Sequence, residues 1–240
     1  PRQSIPTRSE SEVFQTLRSY FRAFRTSSDG TTQDLGTLGG PSAYALDASG
    51  DGERIVGASA TGTGPVTEAF LWTPGSGMAG LGVLNAGDSV SIAWGISKDG
   101  STVVGGSGSG SDLPDQEAFR WRTGTGMEGL GALSSAPGAG SQAWATDADG
   151  SVVVGVAEAD RASGGLIRRA FRWVDGGSGM QELGVLPPTD ASSPSDATSI
   201  AYDVNDEGTV VIGRSMSSFG SSRAFRWTEA DGMHDLGTLR

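Results

Sequence analysis

The chain has 240 residues, and its six Trp and eight Phe can build a hydrophobic core even though Gly and Ser together make up about 30% of it. With no Cys and a single His, it has no disulfide scaffold, no thiol nucleophile and no Cys- or His-rich metal site. A net charge of −11 at pH 7 argues against nucleic acid as a partner, and because no apolar run approaches about 18 residues we expect no membrane span.

The N-terminal extension, residues 1–21, predicts an amphipathic helix. Apolar residues from Val13 to Phe21 recur at helical spacing, and Ser9 or Ser11 is placed to cap the start. We expect this helix to pack on the rest of the chain. Docking to a partner or to a membrane surface is the alternative, and two Glu on the segment weaken its membrane version.

Residues 22–240 contain an internal repeat in which four short patterns recur in the same order. The patterns are Ala-aromatic, an apolar run closed by Gly, Ala-Phe-x-Trp, and Met-x-x-Leu-Gly-x-Leu. This fixed register excludes a disordered linker. The patterns are marked by Ala43, Ala93, Ala143 and Ala201, by Gly57, Gly105, Gly155 and Gly213, by Ala69, Ala118, Ala170 and Ala224, and by Met78, Met127, Met180 and Met233.

A partial copy precedes the four full ones. Ala23-Phe24-Arg25 and Asp34-Leu35 match the third and fourth patterns, with Thr26 where the other copies have Trp. We therefore predict a half repeat at 22–38 and full repeats at 39–84, 85–133, 134–186 and 187–240.

Each repeat predicts four short strands separated by Gly, Ser and Asp turns. Asp-Gly between the first and second strands is typical of a tight hairpin turn, because both residues tolerate positive φ. A four-stranded antiparallel unit of about 50 residues, repeated, indicates a β-propeller blade. The predicted fold is thus all-β, a β-propeller-like array of four full blades and an N-terminal half blade, with a short N-terminal helix; a β-solenoid is the alternative.

The combination of these patterns resembles a known family. The string Asp-Leu-Gly-Thr-Leu-Gly-Gly at 34–40, the Val-Val-Gly runs and Ala-Phe-Leu/Arg-Trp are similar to the HAF-type bacterial extracellular repeats. That resemblance implies a secreted or surface-anchored bacterial protein, often an autotransporter passenger, with a propeller-like fold and no settled activity. No role resting on a ring of histidines carries over, since the name-giving His is replaced by Arg22, Glu68, Glu117, Arg169 and Arg223.

Several features suggest chemistry, but each has a simpler interpretation. Asp147 and Asp149 are spaced closely enough to suggest calcium, yet turn geometry alone explains Asp-Gly, so we predict no metal and no cofactor. His234 stands where other copies have Ala, Glu or Gln, which indicates an exposed strand position. The recurring Phe and Trp could stack sugars, but their regularity favours a role in the core.

The loops differ between the two ends of the repeats. Antiparallel alternation places the short first–second and third–fourth turns on one rim, and the variable second–third and between-repeat loops on the other. Function is grafted onto a rigid scaffold at such variable loops. The candidate ligand-binding residues on this rim are Asp112, Asp115, Glu158, Asp160, Arg161, Arg168 and Arg214.

These observations favour a non-enzymatic binding module, secreted or on the bacterial cell surface, that recognises a protein or a glycan through the variable-loop rim. One alternative is an extracellular glycoside hydrolase or lyase with two acids, such as Asp112 and Glu158, acting as a general acid/base pair. The other is a structural spacer or passenger repeat. Because the half repeat does not complete a ring, self-association through an open sheet edge is also predicted.

Overall fold

The computed structural model of the chain describes residues 21–62, 67–187, 194–217 and 220–237. Within these ranges the chain is all-β, with two short 3-10 turns, Leu113–Asp115 and Pro194–Asp196, as its only helical pieces. The N-terminal helix was predicted for residues 1–21, and all of these except Phe21 lie outside the described residues; Phe21 is exposed and lies outside any regular element.

Eighteen strands are present in the described ranges. They are β1 (Phe24–Thr26), β2 (Thr32–Asp34), β3 (Gly39–Ala48), β4 (Ile55–Thr61), β5 (Thr67–Thr73), β6 (Gly77–Gly80), β7 (Val90–Ile96), β8 (Thr102–Gly108), β9 (Gln116–Arg122), β10 (Gly126–Gly131), β11 (Ser141–Thr146), β12 (Val152–Asp160), β13 (Leu166–Val174), β14 (Met180–Glu182), β15 (Thr198–Val204), β16 (Val210–Met216), β17 (Ser222–Thr228) and β18 (Gly232–Asp235).

Antiparallel pairing groups these strands into a hairpin, β1–β2, and four units of four consecutive strands. Unit 1 is β3–β6, unit 2 is β7–β10, unit 3 is β11–β14 and unit 4 is β15–β18. A single parallel pair, Thr67 with Val90, joins units 1 and 2 into one eight-stranded sheet. None of the sheets formed by the described residues closes on itself.

The first strand of every unit contains a β-bulge opposite the glycine that follows the apolar run of the second strand. A Cβ at Gly155 would stand 2.0 Å from the carbonyl oxygen of Gln142, so only glycine fits there. The sequence alignment was wrong in unit 1, because Tyr44 lies two residues too far from Gly57 to occupy the bulge. The bulge residues are Leu46, Trp94, Trp144 and Tyr202.

Phenylalanine of the Ala-Phe-x-Trp pattern is the centre of packing in each unit. Phe171, for example, is fully buried and belongs to a core cluster that includes Val104 and Ala118 of the preceding unit. Burying one such side chain contributes roughly 1.5–3 kcal/mol. The same position is fully buried in all four units, at Phe70, Phe119, Phe171 and Phe225.

Backbone hydrogen bonds join the first–second turns of successive units. The backbone N–H of Gly50 donates to the carbonyl of Lys98 (2.8 Å), Asp99 to Ala148 (3.1 Å), and Ala148 in turn to Asp206 (3.2 Å). These bonds run from unit 1 to unit 4 in chain order. The first–second turns of successive units therefore lie next to one another.

Candidate functional site

Several predicted rim residues hold the variable loops in place. Glu158 accepts a hydrogen bond from the Gly140 backbone N–H (3.0 Å), and Asp160 accepts one from the Ser134 hydroxyl (2.6 Å), which together fasten the loop that precedes β11. Arg161 forms an ion pair of 2.5 Å with Asp196 in the 3-10 turn before β15. The side chains of Glu158, Asp160 and Arg161 therefore stabilise the conformation of the rim loops.

The other four predicted rim residues are exposed to solvent. Asp112 precedes the 3-10 turn after β8 and Asp115 is its last residue; the Asp115 N–H donates to the Asp112 carbonyl (3.1 Å). Arg168 lies opposite Glu158 in the β12–β13 register. Arg214 lies opposite Ile200. A ligand-binding role for the seven residues stays a prediction, as does the pairing of Asp112 with Glu158 as catalytic acids.

A cavity of about 450 Å³ lies on the variable-loop side of the first strands. Its walls carry the bulge residues of three successive units, Trp94, Trp144 and Tyr202. Ser111, from the loop after β8, and Gln142, at the start of β11, complete the described lining. None of these described lining residues is charged.

The bulges explain why these aromatic side chains share one space. A bulge re-aims the side chain of its extra residue, and the same bulge recurs at the same height in neighbouring units. The rings of Trp144 and Tyr202 stack with centroids 5.3 Å apart and an angle of 27° between their planes. Tyr202 is 42% exposed, so part of this aromatic surface is open to a ligand.

A chain of amides lies behind the aromatic cavity. Gln142 Nε2 donates to Gln116 Oε1 (2.9 Å) and to the Ser111 carbonyl (3.2 Å), and Gln142 Oε1 accepts from Trp144 Nε1 (3.4 Å). Gln116 is 3% exposed, and its Nε2 has no partner among the described residues. A buried donor left unpaired costs about 1–3 kcal/mol, so the amide network has unused hydrogen-bonding capacity beside the cavity.

The opposite end of the first strands carries a different cavity, of about 260 Å³. Side chains from all four units line it, among them Asp47, Asp147 and Asp203, and Lys98 forms an ion pair there with Asp206. Asp47 accepts hydrogen bonds from the N–H groups of Ile96 (2.9 Å) and Ala48 (2.8 Å). Burial raises the pKa of Asp47, and the charge of Asp203 adds to the rise.

The Asp residues of the first–second turns serve the backbone. Asp51, Asp99 and Asp149 each accept a hydrogen bond from the N–H two residues further on, at 2.8–3.0 Å, as the turn interpretation predicts. Among the described residues no group of three or more His, Cys, Asp or Glu is placed to hold a metal ion. His234 is exposed, as expected for its strand position.

The aromatic cavity was missed at the level of sequence, where all recurring Phe and Trp were interpreted as core. Trp72, Trp173 and Trp227 are indeed buried, at 3–8% exposure. Trp94 and Trp144 are only partly buried and line the cavity. The available signal was the glycine that follows the apolar run in each second strand, because it marks where the first strand bulges.

Comparisons with solved structures show a β-propeller-like fold. The chain is similar to TolB from Acinetobacter baumannii (13% identity, TM-score 0.54, covering 90% of this chain and 48% of that one) and to a putative TolB from Agrobacterium tumefaciens (14%, 0.53, 91% and 81%). It is also similar to a structure from an analysis of two prolyl endopeptidases (12%, 0.58, 90% and 33%). The chain thus spans about half of the first structure and a third of the third.

No protein-family model matches the sequence, and no curated protein matches it. Identities of 12–14% establish the shared fold and nothing about activity. In the described parts of the chain, no helix has the length and apolar character needed to cross a membrane.

Proposed function

We propose that the chain is a β-propeller-like binding module whose four units act as blades around a common axis, and that it recognises its ligand on the variable-loop rim. Of the two ligand classes that the sequence leaves open, protein and glycan, the aromatic cavity favours a neutral glycan. That cavity, with its three bulge aromatics, is the observation that carries the proposal.

The lining matches the chemistry of a sugar ring. A pyranose has an apolar C–H face, which packs on an aromatic ring, and hydroxyls at its edge, which bond to amides and hydroxyls. Trp144 and Tyr202 offer the aromatic surface, while Gln142 and Ser111 offer polar groups at the edge. The lack of charge in the described lining favours a neutral sugar over an acidic one.

The proposed place of action is the outside of a bacterial cell, either as a secreted or as a surface-attached protein. A cysteine-free, acidic chain rich in Ser, Thr and Gly suits export. The resemblance to the HAF-type repeats agrees with this placement.

A glycan array tests the proposal. Neutral and acidic oligosaccharides are immobilised and probed with the wild-type protein, with Tyr202→Ala and with Lys98→Ala. Because Tyr202 is 42% exposed, we expect its replacement to leave the fold intact, which circular dichroism checks, and Lys98→Ala is the matched control at the opposite end of the first strands.

We expect a subset of neutral oligosaccharides to bind, with binding lost in Tyr202→Ala and kept in Lys98→Ala. Binding that survives in Tyr202→Ala contradicts the cavity as the site. If no oligosaccharide binds, the glycan proposal is wrong, and a spacer or a protein-binding module becomes the better description.

A further inference from the structure

The side of unit 4 that faces away from unit 3 exposes residues whose counterparts in the other units are buried, or partly buried in the case of Leu81. We call this surface the outer face; it consists of Ile212, Ala224 and Leu236. Ile212 is 44% exposed and Leu236 59% exposed, whereas Val154 and Ala170, the counterparts of Ile212 and Ala224 in unit 3, are fully buried. The same contrast holds for units 1 and 2 at Val56, Ala69, Val104 and Ala118.

In the other units these positions belong to buried clusters shared with the first, second and third strands of the next unit. In the contact between units 2 and 3, Val104, Ala118 and Leu130 pack against Ala143 and Val153. The outer face therefore has the composition of a unit-to-unit contact, and the described residues place no next unit on it.

A serine hydroxyl forms the polar part of each inner contact. Ser141 Oγ accepts from the N–H of Ala118 (2.9 Å) and donates to the carbonyl of Gly131. Ser199 does the same with Ala170 (2.9 Å) and Gly184 (2.6 Å). Ser91 makes the equivalent pair of bonds from unit 2 to unit 1, at 2.9 and 2.6 Å. Each serine stands two residues before the Ala of the first strand.

Unit 4 presents the same two backbone groups. The counterparts are the N–H of Ala224 and the carbonyl of Gly237, and Gly237 has a φ of +78°, close to the +81° of Gly184. Among the described residues no serine hydroxyl bridges them. A backbone donor and acceptor are thus arranged for one hydroxyl, beside the apolar patch of the outer face.

The N-terminal hairpin β1–β2 matches the third and fourth strands of a unit, and the described residues place no second strand beside it. In full units the third strand pairs with a second strand, but β1 pairs with β2 alone among the described strands. Phe24, the counterpart of the fully buried Phe171, is 62% exposed. Among the described residues, the outer face of unit 4 and the N-terminal hairpin therefore both lack a neighbouring first–second strand hairpin of this repeat.

We infer that the outer face of unit 4 is a docking site for a β-hairpin of the repeat's own first–second type. Its first strand carries Ser-x-Ala, its second strand contains Val-Val-Gly, and its serine bridges Ala224 and Gly237. The inference is independent of glycan binding, because the outer face and the aromatic cavity share no residue.

A synthetic peptide tests this directly. Residues 89–110 of this chain form the first and second strands of unit 2 and include Ser91. The peptide is labelled with fluorescein and titrated with the protein while anisotropy is followed. Protein variants are Leu236→Asp, which replaces an exposed residue of the outer face, and Leu46→Asp, a control at a comparably exposed leucine (48%) outside it.

We expect saturable binding with one peptide per protein. Leu236→Asp should weaken it by more than tenfold, Leu46→Asp should leave it unchanged, and a Ser91→Ala peptide should bind roughly tenfold more weakly because two hydrogen bonds are lost. Equal binding to the wild type and Leu236→Asp would overturn the inference. Concentration-dependent self-association that Leu236→Asp abolishes, without peptide binding, would overturn it too and assign the face to a second copy.

Discussion

The two ends of the first strands carry cavities of opposite character. At the variable-loop end Trp94, Trp144 and Tyr202 meet, and the described lining carries no charge. At the other end the charged groups have partners: Lys98 with Asp206, and Asp47 with two backbone N–H groups. A cavity lined by many polar groups is therefore not by that fact alone a ligand site. The aromatic end favours a ligand because part of its surface is open and one amide donor, Gln116 Nε2, has no described partner.

Removing a bulge at the aromatic end should have the largest effect on stability. In Gly155→Ala the new Cβ would stand 2.0 Å from the Gln142 carbonyl oxygen, so the bulge that places Trp144 cannot persist unchanged. We expect a loss of about 3 kcal/mol in the free energy of unfolding, measured by urea denaturation. Gly75→Ala is the control, because a Cβ there meets nothing within 4 Å. Equal stability of the two variants would contradict the role of the bulge.

Replacing Gln142 tests the polar side of the aromatic cavity. Gln142→Leu leaves Gln116 Oε1 and the Ser111 carbonyl without their donor. We expect the free energy of unfolding to fall by about 1–2 kcal/mol, and the affinity for an oligosaccharide selected on the array to fall about tenfold by calorimetry. A stability loss with full affinity would show that the amide network supports the fold but does not touch the sugar.

The charged cavity should respond to pH in a direction set by Asp47. Since burial and Asp203 raise the pKa of Asp47 in the folded protein, the folded state binds this proton more tightly than the unfolded state. Stability from this group therefore rises as pH falls from neutral through its folded pKa. Denaturation of the wild type and Asp47→Asn between pH 7 and 4 should show the wild type gaining relative to the variant; the opposite slope would contradict it.

The ion pair that spans the charged cavity should contribute least. Lys98 and Asp206 are 60% and 57% exposed at their side chains, and an exposed pair is weakened by solvent and salt. We expect Lys98→Ala to leave the denaturation midpoint unchanged, at both low and high salt. A salt-sensitive drop in that midpoint would mean that the ion pair between Lys98 and Asp206 stabilises the fold.

Much of the fold followed from residue order, and the exceptions have local causes. The apolar runs of the second strands β4, β8 and β12 are buried on both faces, whereas in β16 Ile212 is 44% exposed. An apolar sequence pattern predicts that a strand can be buried, but it does not predict whether an adjacent unit covers the strand. For the candidate site, spacing located the variable loops, yet it did not separate Trp144 from the core tryptophans, because both recur with the same period.

By itself, the sequence determined the repeat, its four-stranded antiparallel units and the glycines between them, since these depend on local spacing and backbone freedom. The tertiary structure alone decided which aromatic residues are core and which line a cavity, because a bulge redirects one side chain without changing the order of residues. It also decided that Glu158, Asp160 and Arg161 brace loops, and that the outer face of unit 4 is open. Those outcomes depend on which surfaces contact each other in the folded protein. A sequence pattern gives the order of residue types but does not specify these contacts.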